Sequence, residues 1–390
     1  MKEKPLKKKR KPNIFVRLLA LLTTAALMLG ALFLVVNRDR WNLDTFRRWL
    51  ALRSIQTGST GQGEPFPHSG GENLSLAYLS TGVVTASTAG IHYYSFSGEQ
   101  YAEQVVDLTY PVLTASASTA AAYGAGDQSV YLYRGGEQIA AISLEGGGDL
   151  LSARLNASGW LALTAQESGF KGVVSVYSSN NYQTPVFRLN RSSTFVMDAA
   201  VSPDCRSAAV VTMGQTAGRF ESQLLVYPLN SEEPSARISL GSVTVLDLDY
   251  EDGCIWVLGD SALSVVDTRS WERHTYSFGR NYLKGCALGG DGFALLLLGR
   301  YRTGSADLAL TLGPDCQPEG SLDLRGQVLD FDAAGRYFCL LAGGQLSVYT
   351  PQMELHRRLE DAQGARRVAL VSNATAVLAD RQHAWLYLPG

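Results

Sequence analysis

The sequence predicts an all-β protein, a β-propeller of about eight four-stranded blades, and three observations support this. A strand of the form apolar-x-apolar-Tyr recurs along the chain. Its copies end at Tyr94, Tyr133, Tyr177, Tyr227, Tyr349 and Tyr387, and two diverged copies end at Val266 and Thr311. Consecutive ends lie 38 to 50 residues apart, and a turn rich in Gly, Asp or Ser precedes most copies. A period of about 40–45 residues with four strands per repeat is typical of propeller blades.

The stretch Val243–Phe278 shows one repeat most clearly. It predicts strands at Val243–Tyr250, Cys254–Leu258, Leu263–Val266 and Arg273–Phe278, and glycine and aspartate in the intervening turns supply the required dihedral angles. A sheet of four such strands cannot bury both faces alone, so it must stack on copies of itself. The recurring tyrosines suggest a platform for carbohydrate, but their regular place in the repeat favours packing between blades.

The eighth repeat decides the number of blades. Ala365–Pro389 supplies three strands, and its fourth strand is missing. Upstream, Pro65–Leu79 resembles the junction Ala140–Leu155, where a fourth strand leads through glycines into the next first strand. We therefore expect Glu64–Ser69 to pair with the last blade and close the ring, which removes exposed sheet edges. A ring of seven blades is the alternative.

The N-terminal residues predict a membrane anchor. Residues 1–13 form a basic tail with six Lys and one Arg, and within the predicted transmembrane helix, residues 14–36, Leu18–Val36 contains no charged residue. A helix of about 20 apolar residues spans the hydrocarbon core, and the basic flank places the N-terminus in the cytoplasm. We therefore predict a single-pass protein of the cell membrane with an extracellular propeller. A cleaved signal peptide is the alternative, although its apolar region is usually shorter, about 7–15 residues.

Residues 37–56 predict a short amphipathic helix beside the membrane. Leu43, Phe46 and Leu50 share one face of this helix. That face can lie in the lipid headgroup layer or pack under the globular domain, and both interpretations stay open. Residues 57–63, TGSTGQG, are typical of a flexible linker, so the propeller domain is predicted over residues 64–390.

Charge is distributed unevenly along the chain. Residues 1–40 carry ten basic and two acidic residues, and subtracting these from totals of 34 and 36 leaves a formal charge of −10 for residues 41–390. A mildly acidic domain argues against nucleic acid as a partner. The low and odd count of five cysteines argues against a disulfide framework of the small secreted kind. A single bridge between Cys254 and Cys286, on neighbouring blades, is left open.

No catalytic, cofactor or metal motif is recognisable. The histidines are scattered, with none at metal-ligand spacing from another His or Cys: His68, His92, His274, His356 and His383. The segment Asp247–Gly253 resembles part of a Ca²⁺ loop, but Leu258 stands where the twelfth-position acidic ligand belongs. We therefore predict no enzyme activity, no metal and no cofactor.

A Val-x-Asp element recurs at residues 196–198, 245–247 and 328–330. Because the first strand of a propeller blade is innermost, Asp198, Asp247 and Asp330 are candidates to gather near one mouth of the central channel. Under one interpretation they form an acidic rim that binds a cationic ligand. Under the other, which we favour, they are structural carboxylates that cap the backbone.

The turn Ser202–Asp204 and the LSVY-type strands resemble those of WD-repeat and related bacterial propellers. The whole plan is similar to a family of membrane-anchored bacterial propellers of uncharacterised function: a basic tail, one span, a short helix like LDTFRRWL, then a propeller. The repeats lack the Trp-Asp pair and the Gly-His start of true WD repeats. The resemblance implies a propeller fold and no catalytic residues.

These observations favour a membrane-tethered, extracytoplasmic scaffold that binds a protein or a cell-envelope polymer without catalysis. Propellers present loops on a flat face that suits such partners. The first alternative is a propeller enzyme of the lactonase or quinone-dehydrogenase type. The second is a sensor that works through a membrane partner, because a tail of about 13 residues has no room for a signalling domain. The sequence does not predict the oligomeric state.

Overall fold

The computed structural model describes residues 21–24, 28, 52, 55, 57–71, 73–144, 147–216, 218–251, 253–371 and 373–389. The chain divides into two compact units, Met1–Leu50 and Ala51–Gly390. In the first unit, residues 21–24 and 28 are helical. Most of the predicted span Leu18–Val36 lies outside the described residues. Within the described residues, no helix has the length and apolar character needed to cross a membrane.

The second unit is an all-β propeller of eight four-stranded antiparallel blades. Blade 1 contains β2 (Ser75–Leu79), β3 (Gly82–Ser87), β4 (Gly90–Tyr94) and β5 (Gln100–Gln104). Blade 2 contains β6 (Pro111–Ala115), β7 (Thr119–Gly124), β8 (Ser129–Arg134) and β9 (Glu137–Ser143). Blade 3 contains β10 (Asp149–Leu155), β11 (Leu161–Gln166), β12 (Gly172–Tyr177) and β13 (Phe187–Arg191). Blade 4 contains β14 (Phe195–Val201), β15 (Ser207–Thr216), β16 (Arg219–Pro228) and β17 (Ala236–Gly241).

The remaining blades follow the same order, except for the last. Blade 5 contains β18 (Val245–Glu251), β19 (Cys254–Gly259), β20 (Ala262–Asp267) and β21 (Arg273–Ser277). Blade 6 contains β22 (Tyr282–Gly290), β23 (Phe293–Gly299), β24 (Leu308–Leu312) and β25 (Pro318–Asp323). Blade 7 contains β26 (Val328–Ala334), β27 (Tyr337–Ala342), β28 (Gln345–Tyr349) and β29 (Leu355–Leu359). Blade 8 contains β30 (Arg367–Leu370), β31 (Ala376–Ala379), β32 (His383–Tyr387) and, as its outer strand, β1 (Phe66–Pro67).

Strand β1 closes the ring. It pairs antiparallel with β32, with Phe66 opposite Ala384 and Pro67 opposite His383. The first strand of each blade contacts the first strand of the next, and β30 contacts β2. The structure therefore confirms eight blades and the predicted closing role of Glu64–Ser69, and it excludes the seven-bladed alternative.

The core is divided into eight clusters of buried apolar side chains, one between each pair of neighbouring blades. The second strand of a blade lies between two such clusters. This explains why β19 and β23 are continuous apolar runs in which every residue is buried, since both of their faces pack against other blades. The four strands predicted within Val243–Phe278 are present, with ends displaced by at most two residues.

The recurring tyrosines pack between blades, as the sequence predicts. Tyr94, Tyr133, Tyr177, Tyr227 and Tyr387 are buried, and Tyr349 is half-buried. The ring of Tyr227 lies 5.9 Å from that of Phe187 on the preceding blade, measured between centroids. These rings therefore stabilise the contacts between blades and are not available as a carbohydrate platform.

Residues 57–63 differ from the predicted flexible linker. The backbone N–H of Gly58 donates to the carbonyl of Gln62 at 2.9 Å. Gly63 donates to the carbonyl of Leu386, and Leu388 donates to the carbonyl of Gly61, each at 2.8 Å. The segment is a turn attached to the end of β32, so the ordered part of the propeller begins upstream of residue 64.

The predicted helix over residues 37–56 is described at only two positions. Leu52 is helical, and Leu52 and Ile55 pack against the apolar cluster between blades 8 and 1. These contacts favour packing under the globular domain for the end of this segment. Leu43, Phe46 and Leu50, which define the predicted apolar face, lie outside the described residues.

Candidate functional site

Five of the first strands, which form the channel wall, carry a β-bulge at the same place. The strand register shifts within residues 150–152, 196–198, 245–247, 283–285 and 328–330. A bulge leaves its extra residue unpaired. Val-x-Asp is therefore the sequence of this bulge in three blades: x is the unpaired residue, and the aspartate begins the next paired segment.

Asp198 and Asp247 share one cation, Arg154. Arg154 lies on β10, and its Nε and Nη2 contact Asp198 Oδ2 at 2.7 and 2.6 Å. The same Nη2 also contacts Asp247 Oδ1, and Ser152 Oγ donates to Asp198 Oδ1 at 2.6 Å. Side chains of blades 3, 4 and 5 are therefore joined across the channel wall. Burial lowers the pKa of Arg154, but the two carboxylates raise it by more, so the guanidinium stays charged.

Asp330 has different partners. Its Oδ2 accepts a hydrogen bond from the backbone N–H of Val368 at 2.8 Å, and Asp332 Oδ2 accepts one from Leu370 at 2.7 Å. Val368 and Leu370 belong to β30, whose inner edge has no neighbouring strand. The carboxylates of blade 7 thus satisfy N–H groups of blade 8 that would otherwise be left without a partner. Burial raises the pKa of Asp332 to about 7 and also raises that of Asp330.

The three predicted aspartates do not form one acidic rim. The structure brings Asp198 and Asp247 together around Arg154 and places Asp330 against the backbone of blade 8. The proposed rim already contains its own cation, which favours the structural interpretation of these carboxylates. Binding of a partner at the channel mouth stays a prediction.

The remaining chemical candidates are also engaged in the fold. In the segment Asp247–Gly253, Asp247 contacts Arg154, and Asp249 Oδ1 accepts a hydrogen bond from the N–H of Tyr250 at 3.0 Å. All five cysteines are free thiols, so the bridge between Cys254 and Cys286 is not formed. Burial raises the pKa of Cys254 to about 12, which keeps this thiol protonated at neutral pH. Across the described part of the chain, no cluster of His, Cys, Asp and Glu is arranged to hold a metal ion.

Exposed apolar side chains concentrate at one end of the ring. We call this end the upper face: the first strand of every blade begins there, and the loops between second and third strands and between blades lie there as well. Ten exposed apolar residues lie on it: Val105, Tyr110, Leu151, Phe170, Phe195, Phe220, Leu246, Tyr282, Tyr301 and Leu329. The other exposed apolar residues of the described propeller are Tyr101, Ile139, Val186 and Leu355.

The bulges contribute directly to this apolar surface. The unpaired residues Leu151, Leu246 and Leu329 are 41, 54 and 41% exposed. Two aromatic residues where second strands turn into third strands are more exposed still: Phe220, at the start of β16, is 67% exposed, and Tyr301, on the loop between β23 and β24, is 72% exposed. Large contiguous patches of exposed apolar side chains mark interaction sites, so this face is the candidate binding surface of the described propeller.

The profile of the Family of unknown function (DUF5711) matches residues 66–270, more than half of the 390 residues. The chain belongs to this family. The match runs from the closing strand β1 through most of blade 5. The propeller fold of this chain is a finding, whereas the membrane anchor and the bacterial origin implied by the sequence resemblance stay predictions. No curated protein matches the sequence.

Solved structures similar to this DUF5711 chain include a WD40 domain and a propeller. The C-terminal WD40 domain of Sif2 superposes with a TM-score of 0.57 at 10% identity, covering 80% of this chain and 93% of that one. The computationally designed Ika8 protein gives 0.58 at 13%, with 83 and 99% covered. The Dos1 propeller gives 0.57 at 11%, with 84 and 95% covered. At such identities the likeness shows the fold alone.

Sequence reasoning missed Arg154 and the upper face of this DUF5711 chain. Arg154 is the one charged residue in the apolar stretch Leu150–Leu155, which was a usable signal for a buried ion pair. The exposure of the apolar bulge residues could not be predicted from the sequence, for a different reason. Leu151, Leu246 and Leu329 each follow an apolar residue, so they resemble strand interior until the register shift is seen.

Proposed function

We propose that this protein is a membrane-tethered, extracytoplasmic scaffold that binds another protein through the upper face of its propeller. One observation carries the proposal, the concentration of exposed apolar side chains on that face. Aromatic residues such as Phe220 and Tyr301 are the side chains that most often anchor protein interfaces. The propeller fold, which is shared with WD40 domains, is compatible with this role.

The proposal also holds that the scaffold is non-catalytic. Two features support this part. The carboxylates of the channel wall are occupied by Arg154 and by backbone N–H groups, so they are poorly placed to act as a matched acid and base. The buried thiols of Cys254 and Cys316 have pKa values that burial raises to about 12 and 11, and a protonated thiol is a weak nucleophile.

The membrane tether and the orientation rest on the sequence. The basic residues 1–13 and the uncharged run Leu18–Val36 support a span with the N-terminus in the cytoplasm. The propeller then follows the span and lies outside the cell. A partner is accordingly expected in the envelope or in the surroundings of the cell.

Site-specific photo-crosslinking in living cells tests the binding face and the orientation together. A photoreactive aromatic residue replaces Phe220 or Tyr301 on the upper face and, as matched controls, Val186 or Leu355 away from it. We expect discrete protein adducts from the two upper-face positions and none from the controls. Protease added to the intact cells is expected to digest these adducts.

Two results would contradict the proposal. Equal adducts from both sets of positions would show that the upper face is not the binding surface. Adducts that resist protease in intact cells, yet are digested after lysis, would place the propeller inside the cell.

A further inference from the structure

A cleft of about 1050 Å³ opens on the upper face where blades 7, 8 and 1 meet. Three segments form it: the connection from β1 to β2, the start of β30, and the turn between β31 and β32. Its described lining includes Arg366, Arg367 and Arg381, with Asp380 as the only carboxylate. The described lining of the cleft is therefore basic, although residues 41–390 as a whole are acidic.

Within the described part of the chain, two of the three arginines in this cleft have no carboxylate partner. Asp380 Oδ1 accepts hydrogen bonds from the N–H groups of Gln382 and His383 at 2.7 and 2.6 Å, so its own turn uses this carboxylate. Arg366 and Arg381 are exposed, and within the described part of the chain their guanidinium groups have no acceptor. Two free guanidinium groups therefore face the solvent beside a partnered carboxylate.

The third arginine is fixed in place. Arg367 Nε donates to the carbonyl of Leu74 at 2.8 Å, and its Nη1 lies 4.0 Å from Asp330 Oδ1. These contacts hold Arg367 against blades 1 and 7. Arg366 and Arg381 are therefore the solvent-facing donors that are free to bind a ligand. Guanidinium groups bind carboxylates in a bidentate geometry.

The cleft is also partly apolar. Leu74 lines it, and so does the bulge residue Leu329, which is 41% exposed. A ligand that fits must therefore bring both negative charge and apolar side chains. An acidic peptide segment has both, whereas a polyphosphate has only the charge.

We propose that this cleft binds an acidic peptide segment of the partner protein, with carboxylates on Arg366 and Arg381 and an apolar side chain against Leu329. This inference rests on the proposed function, because it specifies the chemistry of the partner at one part of the upper face. Binding of this kind weakens with salt, since both arginines are exposed.

Fluorescence anisotropy with the full-length protein tests the inference. The probe is a labelled peptide in which glutamate and leucine alternate between glycines, and the comparison peptide has lysine in place of glutamate. We expect the acidic peptide to bind and the basic one not to bind. The variant R366Q/R381Q should weaken binding roughly tenfold or more, because it removes two charge-assisted hydrogen-bonding groups.

A matched variant controls for the loss of positive charge. R206Q/R336Q removes two exposed arginines from loops between first and second strands, at the opposite end of the ring, and is expected to bind the peptide as the unmodified protein does. The single variant R381E is a second check. It should weaken peptide binding by a larger factor at low salt than at high salt. Melting temperatures confirm that each variant is folded.

Two outcomes overturn the inference. One is equal binding of the acidic peptide by all variants. The other is that inorganic polyphosphate, tested in the same assay, depends on Arg366 and Arg381 while the acidic peptide does not. If either occurs while the upper-face crosslinks at Phe220 and Tyr301 persist, the scaffold proposal stands and only the acidic-peptide chemistry fails. If peptide binding depends on the two arginines but the crosslinks at Phe220 and Tyr301 do not form, the acidic-peptide chemistry of the cleft stands and the scaffold proposal fails.

Discussion

In the arc of blades 3 to 5, the aspartates of the channel wall face a guanidinium, whereas in the arc of blades 7 and 8 they face backbone N–H groups. The bulge that positions Asp247 is the same as the bulge that positions Asp330. What differs is the group that faces the aspartate: blade 3 offers Arg154 to Asp247, and blade 8 offers the free edge of β30 to Asp330. The same motif therefore joins blades by an ion pair in one arc and by capping a strand edge in the other.

The two arcs should respond differently to mutation. In the first arc, Asp198 is only 5% exposed and contacts Arg154 as its cationic partner. In the second, the loss of a carboxylate leaves N–H groups without a partner, which costs about 1–3 kcal/mol for a buried group. The second arc also contains the seam of the ring, because its outer strand comes from the other end of the propeller.

The largest effect is expected at that seam. Deleting Glu64–Ser69 removes β1, exposes the outer edge of β32 and removes Phe66, which is 4% exposed and packs between blades 8 and 1. We expect a loss of at least about 3–5 kcal/mol of unfolding free energy, the range for removing a buried Phe side chain. Chemical denaturation measures the loss, and light scattering detects aggregation through the new edge.

A matched control for the deletion keeps the strand. The variant E64A/P65A changes two exposed residues and is expected to be as stable as the unmodified protein. If the deletion leaves stability and solubility unchanged, β1 does not hold the ring closed.

An intermediate effect is expected in the first arc. Arg154→Met leaves the carboxylates of Asp198 and Asp247 without their cation. Breaking a fully buried pair costs about 3–5 kcal/mol, but the side chains of Arg154 and Asp247 are 29 and 31% exposed. We therefore expect a loss of about 2–3 kcal/mol, measured by chemical denaturation.

A second substitution sharpens this test. Adding D198N to R154M should recover part of the loss, because the amide keeps an acceptor for Ser152 and carries no charge. As a control, Arg237→Met breaks an exposed pair with Glu233 at 3.4 Å and is expected to cost under about 1 kcal/mol. An R154M protein as stable as R237M would show that the channel ion pair contributes nothing.

The difference between the arcs also explains which features of the structure could be predicted from the sequence. The number of blades, the strands of Val243–Phe278 and the closing strand follow from local patterns that repeat, and each is correct. The partners of Asp198 and Asp330 are separated from them by 44 and 38 residues, and no local pattern reports such contacts. The linker prediction for residues 57–63 failed for the same reason, since Gly63 and Gly61 form hydrogen bonds with Leu386 and Leu388, which are more than 300 residues away in the sequence.

A pH dependence is expected in the second arc. Asp332 has a pKa of about 7 in the folded protein against an ordinary value of 3.8, because burial disfavours its charged form. Between these values the folded state holds a proton that the unfolded state has released. The unfolding free energy therefore falls as pH rises from about 4 to about 7 and is constant beyond that as far as this group is concerned.

Asp332→Asn removes this titration while keeping an oxygen that can accept from Leu370. We expect unfolding free energies of the variant, measured by urea denaturation between pH 4 and 8, to decline less with pH than those of the unmodified protein. Glu251, whose pKa burial raises to about 7 in blade 5, provides a matched variant, because E251Q should remove a similar part of the slope and D332N/E251Q more than either alone. Equal slopes for D332N and the unmodified protein would mean that Asp332 is ionised throughout, with the N–H donors of Leu370 and Ala333 outweighing the cost of burial.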